Sequence, residues 1–142
     1  MHNAIQIKAT IQASIEDVWN HFTDPESVRH WNFANADWHC PSAQSELRVG
    51  GSFCYTMSAK DGSFSFDFKG TYTLVEHLKR IEYVLADNRR VHVLFEVESE
   101  HCTVTELFEA EQENPLSMQE AGWQAILNNC KQFIEQQQQQ NG

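Results

Sequence analysis

Between Ile5 and Ile11 the chain alternates: Ile5, Ile7, Ala9 and Ile11 are apolar, and Gln6, Lys8, Thr10 and Gln12 between and after them are polar. A period of two predicts a strand with one buried face. The period then lengthens. Ile15, Val18, Trp19 and Phe22 recur at helical spacing, and Ser14 stands three residues before Asp17 in a short-armed capping box, which predicts a short amphipathic helix. Asp24-Pro25 offers an N-cap followed by proline at the first helical position, so a second small helix, with Val28 and Trp31 on its apolar side, is expected to end near Trp31. From Asn32 to Gln44 no period holds. Asn, Asp, His, Pro and Ser are interleaved there with Phe33 and Trp38, which predicts a long irregular segment able to line or cover a site.

After Gly50-Gly51 the period of two returns. Phe53, Tyr55 and Met57 alternate, Asp61-Gly62 supplies a tight turn, and Phe64, Phe66, Phe68 and Tyr72 continue the pattern. Ile81, Tyr83 and Leu85 predict the next strand. Asp87-Asn88 turn the chain into Val91, Val93, Phe95 and Val97, and Cys102, Val104 and Phe108 mark the last strand. Consecutive strands with short links predict an antiparallel meander. Asn114-Pro115 then opens a long helix. Its apolar face contains Leu116, Trp123, Leu127, Cys130 and Ile134, flanked by Gly122, Ile126 and Phe133, while Gln119, Glu120, Gln124, Asn128, Lys131, Gln132 and Glu135 are placed outside. Residues 136–142, mostly glutamine, have nothing to bury and are expected to fray as a tail.

Composition narrows this pattern to one domain spanning 1–142, because 142 residues at 41% hydrophobic content can bury a core without staples. The formal charge of -10 opposes nucleic acid and anionic membrane surfaces, so no nucleic acid partner and no membrane insertion are expected. The opening Met1-His2-Asn3-Ala4-Ile5-Gln6 lacks a basic start and an unbroken apolar run, and the expected location is cytoplasmic. Cys40, Cys54, Cys102 and Cys130 are far apart, with no C-x-x-C pair, and His39-Cys40 has no second close pair to complete a tetrahedron. Free thiols, no metal and no cofactor are the expectation.

The order of elements, and five segments within it, carry a family resemblance. Leu47-Arg48-Val49-Gly50-Gly51-Ser52-Phe53, Phe68-Lys69-Gly70-Thr71-Tyr72, Val104 to Glu111, Glu113-Asn114-Pro115 and Gly122-Trp123-Gln124-Ala125-Ile126-Leu127 follow one another at family spacing. The chain resembles the START-like (SRPBCC) superfamily, in the family of homologues of the heat-shock protein 90 ATPase activator C-terminal domain. That resemblance implies an α+β helix-grip fold: a curved antiparallel sheet, two short helices after the first strand, and a long C-terminal helix across the sheet around an apolar pocket. It implies no particular reaction. The activator's stimulating domain is a separate N-terminal unit with no room here, so a chaperone partner is not expected.

Glu106 is the most informative single residue. The alternation Cys102, Val104, Glu106, Phe108 places its carboxylate on the apolar face, where it must be paired, solvated or protonated; a bulge could instead turn it outward, and Tyr55, Tyr83 or Trp123 are candidate partners. Gly122 within the final helix costs roughly 1 kcal/mol relative to alanine, which points to close approach of the helix to the sheet or to a ligand. Phe53, Tyr55, Phe66, Phe68, Tyr83, Phe95, Phe108 and Trp123 are either an ordinary core or the wall of a cavity. With Glu106, Gly122 and Ile126 they form the candidate ligand-binding set. Gly50-Gly51 lacks the context of a phosphate loop and reads as a turn or bulge, and the scattered histidines form no triad, so no catalytic residue is assigned. The leading expectation is binding of a small hydrophobic or aromatic molecule. One rival is an enzyme of cyclase or hydrolase/dehydratase type using Glu106 as acid or base, with Tyr55 or Tyr83 donating a hydrogen bond. The other is a protein-interaction module, which would need an exposed apolar patch around Trp31, Phe33 and Trp38. Room is left for a homodimer.

Overall fold

Ala4–Ile11 forms strand β1 in the computed structural model, which describes residues 1–141, and its side chains alternate between exposed and buried along the whole strand. Helix α1 (Ile15–Thr23) follows, capped by Ser14, whose hydroxyl accepts from the Asp17 amide. Asp24 caps the single turn of α2 (Pro25–Val28). The remaining strands are β2 (Trp38–Ser45), β3 (Ser52–Ala59), β4 (Ser65–Glu76), β5 (Arg80–Leu85), β6 (Arg90–Glu98) and β7 (His101–Glu109), and helix α3 runs over Leu116–Asn141. All pair antiparallel in one curled sheet of order β1-β7-β6-β5-β4-β3-β2. The helix-grip architecture expected from the order of elements is the one found. No helix is long and apolar enough to cross a membrane among the described residues.

The one strand missed in the sequence is β2, in the segment expected to be irregular. It lies at the sheet edge and its register on β3 shifts between His39 and Ser42, around Pro41. Proline cannot donate to a ladder and is tolerated at edges and bulges, so an edge strand can form without the apolar alternation that marks a central one. The turn before β3 needs its glycines. Gly50 has φ +84°, and a Cβ on Gly51 would sit 2.1 Å from the Glu46 carbonyl oxygen.

The other edge, β1, is covered by α3. Gln124 Nε2 donates to Lys8 O at 3.1 Å, Lys131 Nζ to Thr10 O at 2.8 Å, and the Gln12 amide to Glu135 Oε2 at 2.9 Å. Side chains of the helix thus satisfy backbone groups that an open edge would present to another chain. Leu127, Cys130 and Ile134 are fully buried behind this seam, while Trp123 is half-buried.

Four expectations are corrected here. Leu116, placed on the apolar face, is 55% exposed, because the first turn of α3 overhangs the sheet. Gln119, placed outside, is buried: its Nε2 donates to Glu111 O and Asn114 O at 3.0 and 2.8 Å, and its Oε1 accepts from the Glu111 amide at 2.9 Å. Fraying from residue 136 is absent as far as Asn141, since Gln138 Nε2 finds Asp17 Oδ2 on α1 at 3.1 Å; Gly142, the end of that tail, lies outside the described residues. Trp31 does not contribute to an exposed patch: it is 5% exposed and donates from Nε1 to His21 O at 3.1 Å, with Phe33 and Trp38 half-buried.

Candidate functional site

The C-terminal half of α3 lies on β1, but its N-terminal half stands away from β3, β4 and β5, leaving a cavity of about 430 Å³. The size is that of a small-molecule pocket. Inward positions of the three strands supply aromatic walls because the period of two puts every second side chain on the concave face. Phe53 is their centre, with ring centroids 5.0 Å from Tyr55, 5.8 Å from Phe68, 5.3 Å from Tyr72 and 4.9 Å from Tyr83. The opposing wall is Gly122, Trp123 and Ile126 of α3.

Gly122 is not a point of close packing. A Cβ built there meets no atom within 4 Å, so the missing side chain widens the cavity and the closest-approach explanation does not apply. Trp123 lies flat on Phe108, 3.9 Å apart with 7° between the rings, and takes the edge of Phe68 at 5.7 Å. One face of the indole is thereby fixed against the sheet.

Glu106 comes from β7, paired with Ile7 of β1 and Val93 of β6, and faces the cavity among apolar neighbours. It is 8% exposed, and no hydrogen bond or ion pair reaches its carboxyl among the described residues. Burial alone pushes its pKa up to about 8. No bulge turns it outward, and at neutral pH the acid form predominates. Tyr83 is pushed well above the ordinary phenol value by burial first and the nearby Glu106 second. Tyr55 is raised by burial and then by Tyr72, whose hydroxyl lies 2.7 Å from Ser45 Oγ. The cavity therefore offers tyrosine hydroxyls and the buried Glu106 carboxyl among its rings, with Glu111 and Arg89 also contributing to the lining.

Of the sequence-predicted set, Phe53, Tyr55, Phe66, Phe68, Tyr83, Glu106, Gly122, Trp123 and Ile126 all line this cavity. Two do not. Phe95 packs under α1 against Trp19 and Phe22, with centroids at 4.9 and 5.4 Å, because the far end of β6 lies beneath that helix. Phe108 is shut off behind Trp123. Tyr72, Trp31, Asn32, Arg89 and Gln119 line the cavity and were missed. Tyr72 shares the parity of Phe66 and Phe68 on β4, so that signal was present; the others depend on how loops and caps fold back. Phe66 is at the rim, 41% exposed, beside Phe64 and Trp38 at 6.1 and 5.9 Å.

All four cysteines are free, with Cys40, Cys102 and Cys130 buried, and burial is the first cause of the raised thiol pKa at each, reaching about 11 at Cys102. Among the described residues no group of three His, Cys, Asp or Glu is placed to hold a metal ion.

The model of the family described as Activator of Hsp90 ATPase homolog 1-like protein matches residues 12–135. The solution structure of the AHSA1-like protein from Aeromonas hydrophila is 45% identical, with a TM-score of 0.88 over 93% of this chain and 92% of that one. A protein of Cytophaga hutchinsonii is 41% identical, with a TM-score of 0.82 over 96% and 95%. Protein NE0264 of Nitrosomonas europaea, 17% identical, shares the fold with a TM-score of 0.81 over 95% and 96%. No curated protein matches the chain.

Proposed function

The chain belongs to the family of Activator of Hsp90 ATPase homolog 1-like proteins, and from that premise we propose that it binds a small hydrophobic or aromatic molecule with one polar end, between β3–β5 and the N-terminal half of α3. The observation that carries this reading is the cavity of about 430 Å³ walled by aromatic rings around one unpartnered carboxyl. A core selected only for stability would fill such a space, since interiors are packed to crystal density and a residual cavity costs stability in proportion to its volume. Nor would it retain a buried carboxyl without a partner. Phe53, Tyr55, Phe68, Tyr83 and Trp123 supply contact area, Gly122 supplies room, and Glu106 with the tyrosine hydroxyls orients the polar end.

The test is mass spectrometry of the freshly purified protein under native and then denaturing conditions. A small molecule of a few hundred daltons that is released on denaturation, and is absent from Gly122→Leu purified alongside, is the expected result. Protein that arrives empty and gains no thermal stability from any member of a hydrophobic small-molecule panel contradicts it.

One observation favours a second reading: a carboxyl raised to about 8 by burial, beside Tyr83, is suited to give up and take back a proton near neutral pH. In that reading Glu106 is a general acid or base and Tyr55 or Tyr83 holds a carbonyl or hydroxyl. Recovery of a bound molecule chemically altered by the native protein, and unaltered by Glu106→Gln, selects it; recovery unaltered from both rejects it.

A further inference from the structure

We propose that the polar end of the ligand is a cation, so that the cavity is a site for a hydrophobic organic ammonium held between the Glu106 carboxylate and the surrounding aromatic faces. This rests on the binding role proposed above and adds the ligand's chemical class. The argument begins with what the cavity lacks. Its charged lining is Glu106, Glu111 and Arg89, and Arg89 is already engaged, with Nε on Asp87 Oδ2 at 2.7 Å and Nη1 on Glu109 O at 3.3 Å. No cationic side chain contributes to the state of Glu106, which burial alone controls. Arg89 acts on Tyr83 but not on Glu106, so among the described residues this carboxyl is an anionic group in waiting with no counter-ion of its own.

The other ionisable groups of the interior, three tyrosines and Cys130, are neutral under the same conditions, while Glu111 and Arg89 are charged where they line the cavity. Tyr83 from β5, Tyr55 from β3, Tyr72 from β4 and Cys130 from α3 are all pushed upward by burial, so Glu106 is the group in the interior that changes charge around neutral pH. The rings of Phe53, Phe68, Tyr83 and Trp123 line the cavity, and a cation within about 6 Å of a ring centroid is attracted to its negative π face. A carboxylate ligand would meet repulsion from both features and from the net charge of -10. An ammonium meets a counter-ion and a ring cage, which together offset its lost hydration.

A neutral ligand with a carbonyl could instead accept a hydrogen bond from protonated Glu106, and pH separates the two. Below pH 8 an ammonium must displace the Glu106 proton, so its binding tightens as pH rises; a carbonyl needs that proton, so its binding is nearly constant up to pH 8 and weakens only above it. The probes are 4-phenylbutylamine, 4-phenylbutanol and 4-phenylbutanoate, titrated calorimetrically at pH 6, 7 and 8 in buffers of different ionisation enthalpy. The amine is expected to bind at least about tenfold more tightly than the alcohol at pH 8, to gain up to about tenfold per pH unit from 6, and to release about one proton per site at pH 6. Glu106→Gln should bring the affinity for the amine down to that for the alcohol and abolish the proton release at pH 6. Binding of the alcohol as tightly as the amine, or binding of the amine that weakens with rising pH, overturns the cation assignment and leaves the binding role standing. Failure of all three probes to bind overturns the cation assignment as well, and the binding role is then decided by the released-ligand and panel experiment above.

Discussion

The two halves of α3 do opposite things with the same sheet. From Trp123 onward the helix lies on the β1 side of the sheet and against α1, with Leu127, Cys130 and Ile134 fully buried and polar side chains reaching across to the β1 backbone. Before Trp123 the helix overhangs: Leu116 and Met118 are 55% and 60% exposed, Gly122 faces empty space, and Gln119 pins the first turn to the preceding loop. One half closes the core and the other roofs a cavity. Stability and binding are therefore separable along a single helix, and substitutions sort by which half they touch.

The sharpest division is expected in stability. Leu127→Ala and Ile134→Ala should each cost on the order of 2 to 5 kcal/mol, as fully buried truncations do, whereas Met118→Ala should stay within about 0.5 kcal/mol. Urea denaturation of the three variants checks this. Equal losses at Met118 and Ile134 would mean that the overhanging half is packed in solution.

The next effect is one of pH. Glu106 has an ordinary value of 4.5 and a folded value of about 8, so between those values the folded state holds the proton more tightly than the unfolded chain. Its contribution favours the folded state at low pH and is lost as pH rises from about 4.5 to 8, on the order of 5 kcal/mol in all. Glu109 acts outside this window. Hydrogen bonds from Arg90 first, and from the His2 amide, hold it down to about 2, and its contribution is lost as pH falls from 4.5 toward 2. Melting curves from pH 5 to 8 should decline for the native protein and flatten for Glu106→Gln. Parallel curves would place the carboxyl in contact with water or a partner.

A smaller effect separates space from strain at Gly122. Since a Cβ there meets nothing, Gly122→Ala should stabilise the helix by about 0.5 to 1 kcal/mol, measurable as a rise in midpoint. Destabilisation would show that the helix approaches the sheet more closely.

The closed half of the molecule was far more legible in sequence than the open half. Alternation along β1 and β6, and the spacing of Leu127, Cys130 and Ile134, follow from burial against a continuous partner, which leaves a periodic trace. Glu106 was legible for the same reason, as a polar residue breaking that trace. At the open half periodicity loses its meaning. Leu116 is apolar yet exposed because nothing lies beneath it, and Gln119 is polar yet buried because its partners are backbone groups of a loop. β2 escaped notice because an edge strand with Pro41 at a register shift buries too little to be periodic. The cavity itself is an absence of contact, which Gly122 and the inward Glu106 hinted at and the family resemblance implied. Phe95 and Phe108 were assigned to it because inward-facing rings of core and cavity look alike in one dimension.

The most direct test of the cavity is to fill it. Binding of an environment-sensitive fluorescent hydrophobe should be measured with thermal stability in parallel, on the native protein and Gly122→Leu. The leucine carbons enter open space, so the variant should melt within a few degrees of the native protein and lose at least about tenfold in affinity for the probe. A native protein that binds no probe, together with a Gly122→Leu variant destabilised by the 1 to 3 kcal/mol typical of an overpacked core, would contradict the account.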